Sequence, residues 1–361
     1  MKKILVIAAA ALAFAACTKS EVNAPEASDI NFAPNALGTK ALILPSENDN
    51  AAFPETETFN VFAFADVDGT GYDYAHPLMN NVNVSHQSGD WKATTGTYLW
   101  PATGTVNFYA YYLGAQTNAT VTFDSANDPK GLNIVGINLG NQIGEQNDPL
   151  VASTLGQTKQ RVGIVFKHIT SQIAVTAKDA TETGGLQSKL SILSVVFKSM
   201  NTTGDYREGT TVGKGTWSNV NGASNFTSFS GSEVLSTTES FLSAGSFAAA
   251  IDNSAAFVII PSDVTTTQVI EVKYSYPAFT WNDFDYPAAT KTVTIPIADK
   301  ISGGKFMNGK RYVFHIGISM DGVNNEILFS PSVDGWETVD INGITIDAVQ
   351  STDGEAATLL P

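Results

Sequence analysis

The chemistry that this sequence offers begins with its one thiol, Cys17, the only cysteine among 361 residues. Two lysines near the start, an apolar stretch over residues 4–14 and two alanines precede it. A positive start, a short apolar core and small residues before a cut are the three parts of a secretory signal. The apolar stretch is too short to span a bilayer as a helix. The order predicts that residues 1–16 are a signal peptide and that Cys17 begins the exported chain.

The same stretch resembles the recognition sequence of bacterial lipoprotein signals, in which small residues stand directly before an obligatory cysteine. Phe14 occupies the position that usually holds Leu. The resemblance implies that Cys17 carries acyl chains such as palmitate and anchors the protein in the outer membrane. Each buried acyl methylene would contribute about 0.8 kcal/mol. Ordinary secretion is the alternative.

The bulk composition excludes several classes of protein. No cysteine besides Cys17 remains after export, so the fold must rest on core burial rather than on disulfides. The net charge is −15, and the lysines and arginines form no cluster. Nucleic acid and anionic lipid headgroups are therefore poor partners.

Residues that could bind a metal do not have ligand spacing. The histidines lie far apart, and we interpret them as strand or edge residues: His76, His86, His168 and His315. The acidic segment 66–73 suggests a calcium loop, but Gly69 comes too early and Pro77 stands where a chelating Glu belongs. We favour a hairpin turn there and predict no metal site.

Motifs for catalysis are also missing from the sequence. It contains no nucleophile elbow, no phosphate-binding loop and no dinucleotide-binding glycine pattern after a strand. We therefore predict that the chain is not an enzyme and takes no cofactor.

Short runs of strand-forming residues, broken by Gly, Asn, Asp, Ser and Thr, dominate the chain after a polar tether at residues 17–29. Tyr312, Phe314, Ile316 and Ile318 share one face by alternation. No long stretch has a helical period, so the pattern predicts an all-β protein. The predicted strands cover residues 59–64, 106–113, 162–166, 173–177, 190–197, 257–260, 269–276, 293–297, 312–319 and 327–329.

The length of the exported chain predicts two domains, at about 150 residues each. Polar segments between Asp148 and Arg161 separate two strand-rich halves. We place an N-terminal β-sandwich domain at residues 30–155 and a C-terminal β-sandwich domain at residues 156–361.

Three stretches carry a resemblance to a known family. They are Tyr98-Leu99-Trp100-Pro101 followed by residues 108–112, Asp148-Pro149-Leu150 followed by residues 162–168, and residues 309–314 closing at Asp334-Gly335-Trp336. In this order behind a lipoprotein signal, they resemble the fimbrillin family, the lipoprotein pilins of type V pili in Gram-negative anaerobes. The likeness covers essentially the whole exported chain. It implies two transthyretin-like β-sandwich domains in series.

The resemblance also implies how the protein matures and assembles. In the family, a trypsin-like protease removes an N-terminal strand, and a strand from a neighbouring subunit fills the gap. Here the displaced strand would contain Ile30 and Phe32, and the cut would fall between Lys40 and Ala41. The family also uses Arg at this site, so the identity of the protease stays open.

The tail after Trp336 supplies a candidate donor strand at residues 341–349. Ile344, Ile346 and Ala348 share one face of an extended strand, as a donor requires. The alternative is that residues 341–349 are the last strand of the C-terminal domain. The sequence leaves these two interpretations open.

Two functional hypotheses follow from these features. The first is a structural subunit of a homo- or hetero-polymeric pilus at the cell surface, whose partners are other pilin subunits. The second is a tip or anchor subunit, or an adhesin lipoprotein that contacts surface glycans or proteins through Tyr276, Trp281 and Tyr286. Ordinary strand packing is the favoured explanation for those three aromatic residues.

Overall fold

The structure is a computed structural model that describes residues 29–36, 53–114, 118–182, 184, 186–187, 189–243, 246–248, 256–281, 283–298, 300–320 and 337–347. Strands provide nearly all of its regular structure, and the helical structure in these residues is one 3-10 turn at Ser302–Gly304. Within the same residues, no helix has the length and apolarity needed to cross a membrane. The prediction of an all-β chain is confirmed.

The first nine strands form a barrel and part of a second sheet. Their bounds are β1 Phe32–Ala36, β2 Thr58–Asp66, β3 Met79–Gln87, β4 Asp90–Ala93, β5 Thr105–Tyr112, β6 Thr120–Asp124, β7 Gly131–Asn138, β8 Leu150–Gln157 and β9 Val162–His168. The barrel closes in the order β1-β4-β3-β2-β5-β8-β9. Its neighbouring strands are antiparallel except β1 and β9, which run parallel.

Aromatic rings fill the interior of the barrel. The ring of Phe53 lies 5.2–5.6 Å from the ring centroids of Phe59, Trp91, Tyr112 and Phe166. Such contacts add to the free energy of simple area burial. The barrel core is therefore dense around the chain segment that follows β1.

A four-stranded sheet lies against the outside of the barrel, in the order β13 (Thr216–Asn221), β12 (Thr203–Arg207), β7 and β6. Phe59 and Val61 of β2 point into the barrel, whereas Phe62 and Phe64 pack against this second sheet. Both faces of β2 are thus buried, which explains why its sequence is almost continuously apolar. Tyr206 on β12 joins the same core.

The second half of the chain contributes the remaining strands. Their bounds are β10 Ser171–Asp179, β11 Ser191–Met200, β12 Thr203–Arg207, β13 Thr216–Asn221, β14 Ser224–Val234, β15 Ser240–Ser243, β16 Ser246–Ala248, β17 Phe257–Ile259, β18 Val269–Tyr276, β19 Phe279–Trp281, β20 Phe284–Tyr286, β21 Ala289–Pro296, β22 Lys310–Ser319 and β23 Glu337–Asp347. One sheet has the order β16-β15-β10-β22-β23, with β17 also paired to β10, and another has the order β14-β11-β18-β21. Strands β19 and β20 form a separate hairpin.

One large apolar core joins these two sheets of the second half. Tyr312, Phe314, Ile316 and Ile318 all belong to it, so the predicted alternation along β22 is confirmed. Val313, on the other face of β22, belongs to a separate small cluster. The sheet carrying β22 is buried on both faces.

The expectation of two transthyretin-like sandwiches in series is not confirmed. The first half closes into a barrel, and β12 and β13 of the second half extend the sheet of β6 and β7. The division at residues 155 and 156 stays a prediction. It falls within β8, and the next strand, β9, completes the barrel.

The two halves are also joined by the side chain of Gln146, which hydrogen-bonds to a backbone N–H and a backbone carbonyl of the second half as a neighbouring strand would. Gln146 is 2% exposed, donates from Nε2 to the Val258 carbonyl at 2.7 Å, and accepts from the Val258 N–H at 2.7 Å. This pair satisfies both backbone groups of Val258, which would otherwise be costly to bury. The halves therefore share a sheet, a core and buried hydrogen bonds.

Candidate functional site

Strand β1, the segment that we predicted to be displaced, lies between β4 and β9 in the barrel wall. Its parallel register with β9 runs from Phe32 opposite Val162 to Ala36 opposite Phe166. On the other side, the pairing with β4 consists of Phe32 opposite Trp91. Most of the backbone pairing of β1 is therefore with β9.

The side chains of the N-terminal segment alternate between core and surface. Ile30 is 4% exposed, Phe32 is 1% exposed and Pro34 is buried, whereas Asn31 and Ala33 are partly exposed. The Phe32 ring makes edge contacts with Phe59 at 6.0 Å and Phe108 at 5.8 Å. Removing this segment would open an apolar groove in the barrel wall.

Backbone bonds hold the segment just before β1. The Ile30 N–H donates to the Tyr98 carbonyl at 2.8 Å, and the Val162 N–H donates to the Asn31 carbonyl at 2.9 Å. Asp29 forms an isolated bridge with Leu99. The groove thus extends beyond β1 to the loop before β5.

The predicted cleavage residues lie in the connection that follows β1. Lys40 and Ala41 fall within residues 37–52, outside the described residues. The chain returns at Phe53, whose N–H donates to the Pro34 carbonyl at 3.5 Å. A cut at Lys40 would therefore break the covalent connection between β1 and the chain that follows it, without cutting any described strand.

The predicted donor strand forms the edge of the sheet in the second half. Strand β23 runs parallel to β22, from Glu337 opposite Lys310 to Asp347 opposite Ser319. Ile344 stands opposite Ile316, and Ile346 stands opposite Ile318. Ala348 lies outside the described residues, as does Cys17. In this structure, residues 341–347 pair with their own chain.

The three aromatic residues considered for glycan contact lie at the β18–β20 region. Tyr276 is 8% exposed and its ring meets Phe279 at 5.9 Å. Tyr286 stacks on Phe279 at 4.7 Å with an interplanar angle of 8°. Trp281 ends β19. The contacts of Tyr276 and Tyr286 are those of ordinary strand packing.

The strand on the far side of the groove, β4, was missed in the sequence. It follows β3 after a two-residue turn in which Ser88 has φ +52° and Gly89 has φ +89°. Two positive φ angles are typical of the turns that join tight hairpins. The Ser88-Gly89 pair was therefore a usable signal for this hairpin and for the position of Trp91.

Comparisons with known proteins agree with this architecture. Residues 18–336 match the model of a family described as fimbrillin-like. The chain belongs to the fimbrillin-like family. A solved fimbrial protein of Bacteroides vulgatus is similar to this fimbrillin-like chain, with a TM-score of 0.53 and 15% identity, covering 81% of this chain and 96% of that one.

A second solved structure is similar to the chain at a lower TM-score. A solved protein described as a cell adhesion protein of Bacteroides uniformis is 16% identical, covers 82% of this chain and 96% of its own, and has a TM-score of 0.40. A search of curated proteins found no match to the sequence. At these identities, the likeness to the Bacteroides vulgatus protein shows a shared fold.

Two of the three stretches on which the family resemblance rests border β1 in this fimbrillin-like chain, and the third lies in and after β22. Trp100 is buried in the barrel core with Phe108, and their rings lie 5.7 Å apart. Residues 162–168 are β9, the parallel partner of β1. Residues 310–314 begin β22, the partner of β23, and Asp334-Gly335-Trp336 lies outside the described residues. The resemblance therefore concentrates around the two strands considered for exchange.

Each of the four histidines lies beside an acidic side chain. His168 is buried, and its Nδ1 lies 2.7 Å from Oδ2 of Asp148, whose other oxygen accepts from Thr170 at 2.7 Å. His315 contacts Glu239, and both side chains are partly buried. Among the described residues, no three His, Asp or Glu side chains come together in a group that could hold a metal ion.

Glu208 is a buried acid that no motif or pattern in the sequence indicated. It is 4% exposed, and its Oε1 accepts from the Gly213 N–H at 3.0 Å and from the Tyr206 hydroxyl at 3.2 Å. Its Oε2 has no hydrogen-bond partner in the described part of the chain. Burial raises the pKa of Glu208 from 4.5 to about 7, against the opposing effect of these donors. Glu208 thus fixes the turn between β12 and β13, and its contribution to the free energy of unfolding depends on pH.

Replacing Glu208 with Gln should remove a pH-dependent component of stability. The folded-state pKa lies above the unfolded one, so the contribution of protonated Glu208 is complete below pH 4.5 and is lost as the pH rises through about 7. We therefore expect the free energy of unfolding of the parent chain, minus that of the Glu208→Gln variant, to decrease by about 3 kcal/mol between pH 4.5 and 8. Denaturant unfolding of both proteins across this range measures the difference. A constant difference would contradict the assignment.

Proposed function

We propose that this fimbrillin-like chain is a structural subunit of a cell-surface pilus that polymerises by strand exchange. It is exported as a lipoprotein on Cys17 and trimmed after Lys40 by a trypsin-like protease, and the gap left by β1 accepts a strand of a neighbouring subunit. The observation that carries this proposal is the position of β1. It is a buried barrel strand linked to the barrel by the connection that contains Lys40.

The energetics of the barrel support an exchange rather than a simple loss of β1. Without β1, the backbone groups of β9 and the pocket of Phe32 would face water. Both changes cost free energy, because the backbone groups lose their hydrogen-bond partners and apolar surface becomes exposed to water. An extended segment with alternating apolar residues would satisfy both at once.

The candidate donor is the C-terminal strand at residues 341–349. Its alternating Ile344, Ile346 and Ala348 correspond in spacing to the buried Ile30, Phe32 and Pro34 of the strand that would leave. Burial of the two isoleucines would contribute roughly 1.5–3 kcal/mol each. In this chain, β23 lies at the edge of its sheet, where only β22 would lose a partner on its departure.

A tip or anchor subunit of the same pilus is the second candidate. Such a subunit needs a receiving groove but no donor strand. The observation that favours it is the pairing of residues 337–347 with β22 of the same chain. Both candidates place the protein at the cell surface and give it other pilin subunits as partners.

Trimming provides the test of the proposal. Limited digestion of the purified chain with trypsin should expose Ala41 as the new N-terminus and produce a ladder of oligomers that resists mild detergent. Lys40→Gln should remain untrimmed and monomeric, since its bond is no longer a substrate. N-terminal sequencing and gel electrophoresis measure both results.

The matched control is Lys19→Gln, which changes the other basic residue of the segment 17–40. It should behave like the parent chain, because a cut at Lys19 would leave β1 attached. A chain that begins at Ala41 and stays monomeric would reject the stalk-subunit proposal.

A further inference from the structure

A cleft of about 540 Å³ opens beside β13, far in sequence from either exchanged strand. Residues 305–308, which precede β22, form the facing wall, and residues 261–263 complete it. The side chains that matter here are those of Lys214, Trp217, Asp263, Lys305 and Met307. A cleft of this size is in the range of small-molecule sites.

One wall of the cleft is apolar and fixed in position. The Trp217 indole N–H donates to the Ile169 carbonyl and to Asn308 Oδ1, each at 3.1 Å. Met307 is 52% exposed and lines the same cleft, so its side chain is accessible to a ligand. A rigid aromatic ring beside an exposed apolar side chain suits a ligand with its own apolar face.

The rim of the cleft carries positive charge in a chain whose net charge is −15. Lys214 donates to the neutral carbonyl of Asn308 at 3.1 Å. Lys305 is 58% exposed and lies 4.0 Å from Asp263, a distance that gives a weak, solvent-screened pair. The nearby Lys310 has a lowered pKa because of burial and because of repulsion by Lys214. An anionic group placed between Lys214 and Lys305 would relieve this concentration of like charge.

An extended peptide is a poor occupant of this cleft. Strand β13 is the edge of its sheet, but Asn219 within it has φ +51° opposite an irregularity in register between Thr203 and Asp205. Such a bulge twists an edge and interrupts the row of backbone groups that strand addition needs. The ligand should therefore bind through its side groups and faces rather than through a β ladder.

We propose that this cleft binds an acidic saccharide. The apolar face of a pyranose ring packs against Trp217 and Met307, and the carboxylate of the sugar lies between Lys214 and Lys305. Asp263, whose side chain is 87% exposed, accepts hydrogen bonds from sugar hydroxyls. The site is independent of strand exchange, and it differs from the Tyr276–Tyr286 region considered in the sequence.

Titration of the full-length protein with sialyllactose tests the proposal by calorimetry. Lactose is the matched neutral probe and should bind at least tenfold more weakly, because it lacks the carboxylate. Lys305→Met should weaken sialyllactose binding about tenfold. Met307→Asp removes the apolar contact and adds a negative charge, so its binding should fall below detection. Both residues are exposed, so both variants should fold.

Lys273→Met is the control, since Lys273 is an exposed lysine on β18 outside the cleft. It should leave the affinity for sialyllactose unchanged. The proposal is overturned if millimolar sialyllactose does not bind, if lactose binds equally well, or if Lys305→Met retains full affinity. Pentaglutamate that binds as tightly as sialyllactose would also overturn it, by showing a site for acidic peptides.

Discussion

Replacing Phe32 with Ala should lower the free energy of unfolding of the untrimmed chain by about 3–5 kcal/mol, while leaving the trimmed polymer unchanged. The large loss is expected because Phe32 is 1% exposed and its ring contacts Phe59 and Phe108 inside the barrel. The polymer should be unaffected because residues 17–40 have left it. Denaturant unfolding of the untrimmed chain and thermal dissociation of the polymer measure the two effects.

Asn31→Ala is the control on the neighbouring position, since the Asn31 side chain points away from the core and is partly exposed. It should change the stability of the untrimmed chain by less than about 0.5 kcal/mol. If Phe32→Ala also destabilises the trimmed polymer by several kcal/mol, then β1 remains in the assembled subunit and the exchange model is wrong.

Replacing both Ile344 and Ile346 with Asp should prevent polymerisation of the trimmed chain. The two isoleucines share the face that would enter the groove of the next subunit, and together their burial contributes roughly 3–6 kcal/mol. Two buried carboxylates without partners would add a further penalty. The expected result is a chain that is trimmed at Lys40 but remains monomeric on a gel and in analytical ultracentrifugation.

The control for this experiment is Thr345→Asp, which places one charge on the opposite face of the same strand. It should polymerise nearly as well as the parent chain. Because β23 also pairs with β22 in this chain, the stability of the double variant should be measured before trimming. A full ladder from the double variant would exclude residues 341–349 as the donor.

Regions dominated by local strand patterns were predictable from the sequence. The prediction at residues 269–276 coincides with β18, and the alternation of Tyr312 through Ile318 places those side chains in one core. These strands have a period of two and turn residues at their ends, which are local signals. The predicted strand at residues 327–329 lies outside the described residues.

Features that depend on distant partners were not predictable in the same way. The closure of the barrel depends on β1 running parallel to β9, two segments that are far apart in the sequence. The pairing of β12 with β7 likewise joins the two halves of the chain. Local sequence patterns contain no information about which strands become neighbours. The expectation of two sandwiches in series therefore included neither the barrel nor the sheet that both halves share.

The candidate site was predictable in part, for a physical reason. The family resemblance implied that Ile30 and Phe32 belong to the strand that is displaced, and the structure places both residues in the barrel core. Phe53 carries no local signal, and the turn at Ser88-Gly89 indicates the strand of Trp91 but not its neighbour, because the proximity of both residues to β1 results from the barrel fold. Glu208 was missed because burial of an acid is a property of its surroundings.

Both strands considered for exchange are held mainly by parallel pairing, β1 with β9 and β23 with β22. Parallel pairs are slightly less stable per residue than antiparallel ones. Strands that must leave their own chain are better placed at such positions than inside an antiparallel ladder. This arrangement connects the sheet topology to the proposed assembly.

The most direct test of strand exchange is a cryo-electron microscopy structure of the filament formed by the trimmed chain. We expect density between β4 and β9 that belongs to residues 341–349 of the neighbouring subunit, with the side chains of Ile344 and Ile346 in the positions of the core-facing residues of the displaced segment. Density for Phe32–Ala36 of the same chain at that place would contradict the account.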